Sequence, residues 1–288
     1  MKLYIKSLLP AAALALSLGL SSCVGDLNVK PIDPKTNMTV NPDNLFNKCY
    51  SNMAVAGNGG ANGDSDVDGI DGGTSGFLRQ LFNSQELTSD EAISAWGDEG
   101  VQPLNKNQWN SEHPFLRGFY YRLFFGVTVC NHYLEVAKNH DATMTAEVRF
   151  LRALYYYYLM DGWGNIGFRT TVGSDKPAQM SRADLYKWIE SEVLEAEKNM
   201  AEAKPEKDTE AGYGRADKAA AWLLLSRLYL NAEVYTGKAE WEKAKKYAKM
   251  VMDSSYKLHT GKAVNGWTAY QQLFMGDNGS NGASEEAI

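Results

Sequence analysis

The sequence is poor in the residues that build metal centres, disulfide frameworks and basic surfaces. Its 288 residues hold only three cysteines and four histidines. Three thiols cannot staple a chain of this size, so the fold must rest on packing. His113, His132, His140 and His259 lack metal-ligand spacing. There is no Gly-x-Ser-x-Gly element and no phosphate loop. Lys and Arg number 29 against 35 Asp and Glu, a formal charge of -6. That balance argues against nucleic acid and anionic lipid headgroups as partners. Glycoside hydrolysis needs two placed carboxylates, one with a raised pKa. Asp90, Glu91, Asp98 and Glu99 are available, but their neighbours are polar and no apolar pocket is evident. Nothing in the chain supports an enzyme. No apolar run reaches the roughly 20 residues that a bilayer-spanning helix needs.

What the chain does have begins at its first residues. A basic start, Met1-Lys2 to Lys6, precedes an apolar stretch from Leu8 to Leu20, broken by Pro10, Ser17 and Gly19. Leu20-Ser21-Ser22-Cys23 follows. This is the layout of a secretory signal over residues 1–22. A cysteine after such a run resembles a bacterial lipobox, which implies cleavage before Cys23 and lipidation of its thiol. Acyl chains would anchor the protein, since each buried methylene contributes about 0.8 kcal/mol. Residues 23–40 read as a lipidated tether, polar and interrupted by Pro31 and Pro34.

About 265 residues then remain, with 44% apolar content and 16 Tyr, 10 Phe and 7 Trp over the whole chain. The pattern predicts a mainly α protein with long irregular loops. A helix starts at Asn41-Pro42-Asp43, with Leu45, Phe46, Cys49, Tyr50 and Met53 at helical spacing. A Gly/Asn/Asp loop covers residues 57–75, a length uncommon unless functional. Helices are expected over 115–138, 144–162, 215–233 and 240–254, and another behind an N-cap at Ser181. Leu151-Arg152-Ala153-Leu154-Tyr155-Tyr156 echoes Leu224-Leu225-Ser226-Arg227-Leu228-Tyr229, each with a small residue three before a tyrosine. With Trp222, Ala244 and Tyr247, the second pair resembles a degenerate tetratricopeptide repeat. Cys49 and Cys130 fall in predicted helices, as two buried thiols or as a bridge.

Glu147-Val148-Arg149-Phe150-Leu151-Arg152-Ala153, closing at Gly162-Trp163-Gly164, resembles a signature helix of the RagB/SusD family. So does Gly214-Arg215-Ala216-Asp217-Lys218-Ala219-Ala220-Ala221-Trp222. Asp66-Val67-Asp68-Gly69-Ile70-Asp71-Gly72-Gly73-Thr74-Ser75-Gly76-Phe77-Leu78-Arg79 is similar to the glycan-site loop of its starch-binding members. The resemblance implies a lipid-anchored protein on the outer-membrane surface of Bacteroidetes. It also implies capture of starch or related α-glucans for a SusC-like TonB-dependent transporter, with no cofactor required. Family members are usually much longer. Residues 41–288 are therefore expected to be an incomplete helical glycan-binding domain lacking its carboxy-terminal half.

By this resemblance Trp96 is a stacking platform, Arg79 a forked donor and Asp71 an acceptor. The family places an amide just after the Trp, where Asp98 and Glu99 stand here, so Glu99 joins the candidate site as an acceptor. Aromatic faces cover the C–H face of a pyranose, and Asp or Arg satisfies its hydroxyl belt. On residue type alone Trp96 could equally be core, and Arg79 could pair with Glu86 or Asp90. Asp64-Ser65-Asp66-Val67-Asp68-Gly69 fits the start of an EF-hand, but the twelfth position is Ser75, so a solvated acidic turn is expected. A calcium site elsewhere, with Asp277 as one ligand, is left open. Two other functions are carried forward: a repeat scaffold that touches no sugar, and a surface glycosidase.

Overall fold

The computed structural model describes residues 40–59 and 64–288. The signal, Cys23 and the tether lie outside these. Asn41–Ile288 forms one compact unit.

Helix α1, Pro42–Ala54, begins where the proline leads one to expect. Its cap Asn41 accepts from the Asn44 amide at 3.0 Å, satisfying a donor that the helix itself leaves open. Helices α2, Phe77–Gln85, and α3, Val101–Asn105, flank the segment that carries Trp96. Two long helices follow, α4, Pro114–Val136, and α5, Ala142–Trp163. A minimal antiparallel pair, β1, Ile166–Gly167, and β2, Gln179–Met180, aligns Ile166 with Met180. Ser181 caps α6, Arg182–Glu197, by accepting from the Asp184 amide at 3.1 Å. Asp217 caps α7, Lys218–Leu230, accepting from Ala219 and Ala220. The short α8, Ala232–Thr236, leads to α9, Trp241–Met252, and the single turn α10, Ala269–Gln272.

The major helices pack on one another nearly in chain order. α1 lies on α4, α4 on α5, α5 on α6, α6 on α7 and α7 on α9. Spacings of three and four put Val148, Leu151, Tyr155 and Leu159 on the buried face of α5, and Leu185, Ile189 and Val193 on that of α6. Each fully buried aliphatic contributes about 1.5–3 kcal/mol. In the α7–α9 pair, Ser226 Oγ donates to the Ala244 carbonyl at 3.0 Å and Tyr229 stacks on Tyr247. The small residue and the tyrosine of α7 thus both face α9. Cys49 and Cys130 are free and buried. Burial pushes the Cys130 thiol up, and the neighbouring Cys49 adds to it.

The two signature segments meet. Arg215 donates to both oxygens of Glu147, at 3.1 and 2.5 Å, and stands over the Phe46 ring. Tyr50 Oη donates to Glu147 at 2.5 Å and accepts from the Ala216 amide at 3.0 Å. Glu147 is 1% exposed, and burial raises its pKa even against these partners. A second buried knot joins Arg149 and Arg152 on α5 to Glu192 on α6. Burial alone would raise the Glu192 carboxyl, but the two guanidinium groups outweigh it and hold it low.

Candidate functional site

The loop between α1 and α2 is fastened from beneath by one side chain. Arg122, on α4, is fully buried. Its Nε donates to the Ser75 carbonyl at 2.9 Å, and Nη1 donates to Asn52 Oδ1 at 3.0 Å. Nη2 donates to the Ala56 carbonyl at 2.6 Å and to Ser75 Oγ at 3.1 Å. Asp66 Oδ2 lies 3.6 Å from Nη1 and is itself paired with Lys48 at 2.7 Å. Four of the five N–H donors of the guanidinium fork therefore hold acceptors, and the Asp66 carboxylate lies near the fifth. Burial lowers the Arg122 pKa, with the nearby Asp66 carboxylate opposing it.

Two glycines let the loop close down. A Cβ at Gly57 would meet the Asp64 carbonyl at 1.7 Å, and one at Gly118 would meet the Ile70 side chain at 2.3 Å. The first is a backbone contact that no side chain could relieve. A 3₁₀ turn at Gly72–Thr74 follows, with Thr74 Oγ1 donating to the Asp71 carbonyl at 2.9 Å. Gln80, buried on α2, donates to the Thr74 carbonyl. Asp66 and Ser75 are thus occupied by protein partners, as a structural turn requires.

Arg79 emerges from this base. Its Nη1 donates to the Gly73 carbonyl at 2.9 Å and its Nη2 to Asp98 Oδ2 at 3.2 Å. The guanidinium carbon stands 5.1 Å from the centroid of Trp96, which is 65% exposed. A cation over an indole contributes about 0.5–1 kcal/mol at an exposed site. Arg79, Trp96 and Asp98 therefore form one surface cluster. The ion-pair partner of Arg79 is Asp98, neither Glu86 nor Asp90. Asp71 is exposed at the start of the 3₁₀ turn, two residues before the carbonyl that Arg79 engages. Glu99 is exposed and makes no hydrogen bond to Arg79 or Trp96. Beside it, Gly100 accepts from Nε2 of buried His113 at 3.0 Å. Burial lowers the His113 pKa.

The suggested calcium ligand Asp277 is exposed, and its carboxylate accepts from Asn281 Nδ2 at 3.1 Å. Among the described residues no three His, Cys, Asp or Glu side chains are grouped to hold a metal ion. A cleft of about 1020 Å³ lies between α1, α5 and α7, but none of Asp71, Arg79, Trp96 and Glu99 lines it. Sequence reasoning missed Arg122 and the role of Asp98. The signal for Arg122 was present, as a lone charge inside the aromatic run Tyr120-Tyr121-Arg122-Leu123-Phe124.

Residues 74–230, more than half of the chain, match the family model SusD-like, described as starch-binding and associating with the outer membrane. The chain belongs to the SusD-like family. It is 40% identical over 292 aligned residues to the starch-binding protein SusD of Bacteroides thetaiotaomicron, an alignment covering 99% of this chain and 51% of that protein. The chain thus spans about half the length of this curated relative. The fold is shared with a crystal structure of a SusD-like protein from Bacteroides fragilis, at TM-score 0.61 and 20% identity, covering 88% of this chain and 46% of that one. A laminarin-binding SusD-like protein matches at TM-score 0.59 and 19% identity, over 83% and 49% of the two chains. The SusD-like match spans all of α2 to α7, and with them Arg79, Trp96, Arg122 and the Glu147–Arg215 pair.

Proposed function

We propose that this protein is a cell-surface lipoprotein that captures starch or related α-glucan oligosaccharides and passes them to a SusC-like TonB-dependent transporter. It performs no catalysis on the glycan. The observation that carries the reading is the exposed Trp96 indole, with the Arg79 guanidinium over it. A flat ring fixed at the surface is what a pyranose face requires. Asp98, the carboxylate closest to the indole in sequence, is engaged by Arg79, which leaves it poorly placed as a proton donor. The 40% identity to a starch-binding protein supports α-glucan as the substrate class.

Stacking on Trp96 buries roughly 60 Å² of ring face, worth about 1.5 kcal/mol at ~25 cal/mol per Å². This is about tenfold in affinity per stacked sugar. Trp96→Ala should therefore weaken malto-oligosaccharide binding about tenfold in a calorimetric titration and lower the melting temperature by no more than about 4 °C, the share of its contact with Arg79. Unchanged affinity at unchanged stability would remove Trp96 from the site.

The anchor in this reading is Cys23. In a lipoprotein-processing host, a palmitate analogue should label the chain and fail to label Cys23→Ala. Label retained by that variant would place the acyl chain elsewhere.

A further inference from the structure

A second concavity, of about 220 Å³, lies at the far end of α2. Ser84, Gln85 and Thr88 form one side, and Phe119 of α4 and Leu104 of α3 lie at its base. Trp109, Tyr158 and Trp163 bring three more aromatic rings, and Leu116, Asp161 and Gly162 complete the lining. We propose that this pocket is a separate binding site for one neutral hexopyranose, free or at the end of a glycan. The choice of ligand class rests on the glycan reading above; the pocket itself does not use Trp96.

The size and lining point to such a ring. Pockets for drug-sized ligands span about 300–1,000 Å³, so this one takes a smaller body. No Lys, Arg or His lines it, which disfavours an anion. Trp163 is held in place by Phe119 and Tyr120, with ring centroids at 5.9 and 5.3 Å. Indole faces suit the C–H side of a sugar, and indole N–H groups, Gln85 and Asp161 suit its hydroxyls. Asp161 accepts from Tyr235 Oη at 2.6 Å through Oδ1, and no described residue donates to its Oδ2.

Gly162 stands at the edge of the same lining. It lies inside α5, where glycine is an unfavourable helix residue. The left-handed position that ends the helix is Gly164, at φ 72°, so Gly162 is not needed as the cap. A Cβ at Gly162 would meet nothing within 4 Å. Gly162 lines the pocket from its exposed edge, and a side chain there would have open space to occupy. Along α2, Arg79 and Gln85 are six residues apart, about 9 Å of rise and roughly 240° of turn, so the two sites face different ways.

The test is fluorine NMR of the 5-fluorotryptophan protein titrated with methyl α-D-glucoside and maltose, with resonances assigned by Trp→Phe variants. The Trp163 resonance should move in the native protein and in Trp96→Ala. It should stay fixed in Gly162→Leu, which sets a bulky side chain at the pocket's edge with a better helix former and melts cooperatively. Trp109→Ala, at a half-exposed loop residue, should also abolish the shift and serves if the leucine variant misfolds. A Trp163 resonance that is unmoved in the native protein, or still moves in Gly162→Leu or Trp109→Ala, overturns the proposal. Movement at Trp163 with none at Trp96 leaves this pocket standing and sinks the Trp96 site. The converse result does the reverse.

Discussion

Arg122→Met should destabilise the protein by about 3–5 kcal/mol, a loss expected when a buried hydrogen-bonded charge is removed from its partners. Methionine keeps much of the volume but donates nothing. The Asn52 side chain and the carbonyls of Ala56 and Ser75 would then be buried with acceptors unfilled, each worth about 1–3 kcal/mol. At about 2–4 °C per kcal/mol for a chain of this size, the melting temperature should drop by roughly 6–20 °C. Amide exchange should accelerate most in residues 64–75, ahead of the helices. A uniform acceleration across α4 and α5 would mean that Arg122 supports the helix packing more than the loop.

Arg215→Ala should be as damaging, with a pH signature that Arg122→Met lacks. It strips the guanidinium from Glu147 and leaves a buried carboxyl with Tyr50 as its donor. Breaking such a pair typically costs about 3–5 kcal/mol. Glu147 is already raised by burial in the native protein, and loss of Arg215 raises it further. A carboxyl whose folded pKa exceeds its unfolded value adds stability below the unfolded pKa and loses it as pH rises through the folded pKa. The deficit against the native protein should therefore narrow between pH 8 and pH 5. Adding Glu147→Gln to Arg215→Ala should recover part of the stability at pH 8 and flatten the profile. A pH-independent deficit in chemical denaturation would show that Glu147 is not the group left stranded.

The helices legible in the sequence are those whose buried face is apolar and whose start is marked. Asn41-Pro42 and Ser181 announced α1 and α6 through their caps, and the stripes of α4, α5, α7 and α9 did the rest. Helix α2 went unread for a physical reason. Its buried residues are Phe77, Gln80 and Asn83, two of them polar, while Leu78 is 71% exposed. Hydrophobic periodicity reports burial only when the buried face is apolar. The same limit hid Arg122 and the pairing of Glu147 with Arg215, which lie 68 residues apart. Residue type and resemblance together picked out Trp96 and Arg79. They offered Glu86 or Asp90 as the ion-pair partner of Arg79 and missed Asp98, which lies 19 residues along the chain and meets Arg79 only through the fold of the intervening segment.

The doubly held guanidinium over Trp96 also has a consequence for timing. Arg79 is tied to Gly73 and Asp98 before any ligand arrives. Ordering a long side chain at encounter would take about 0.5–1.5 kcal/mol, and here that entropy is surrendered during folding. A platform set in advance adapts little to what lands on it. In the proposed function it would select incoming chains by their curvature, and a chain that fits only in part would leave quickly. Short dwell times would then follow from rigidity and shallow contact together, the kinetic behaviour that the proposed handover to a transporter needs.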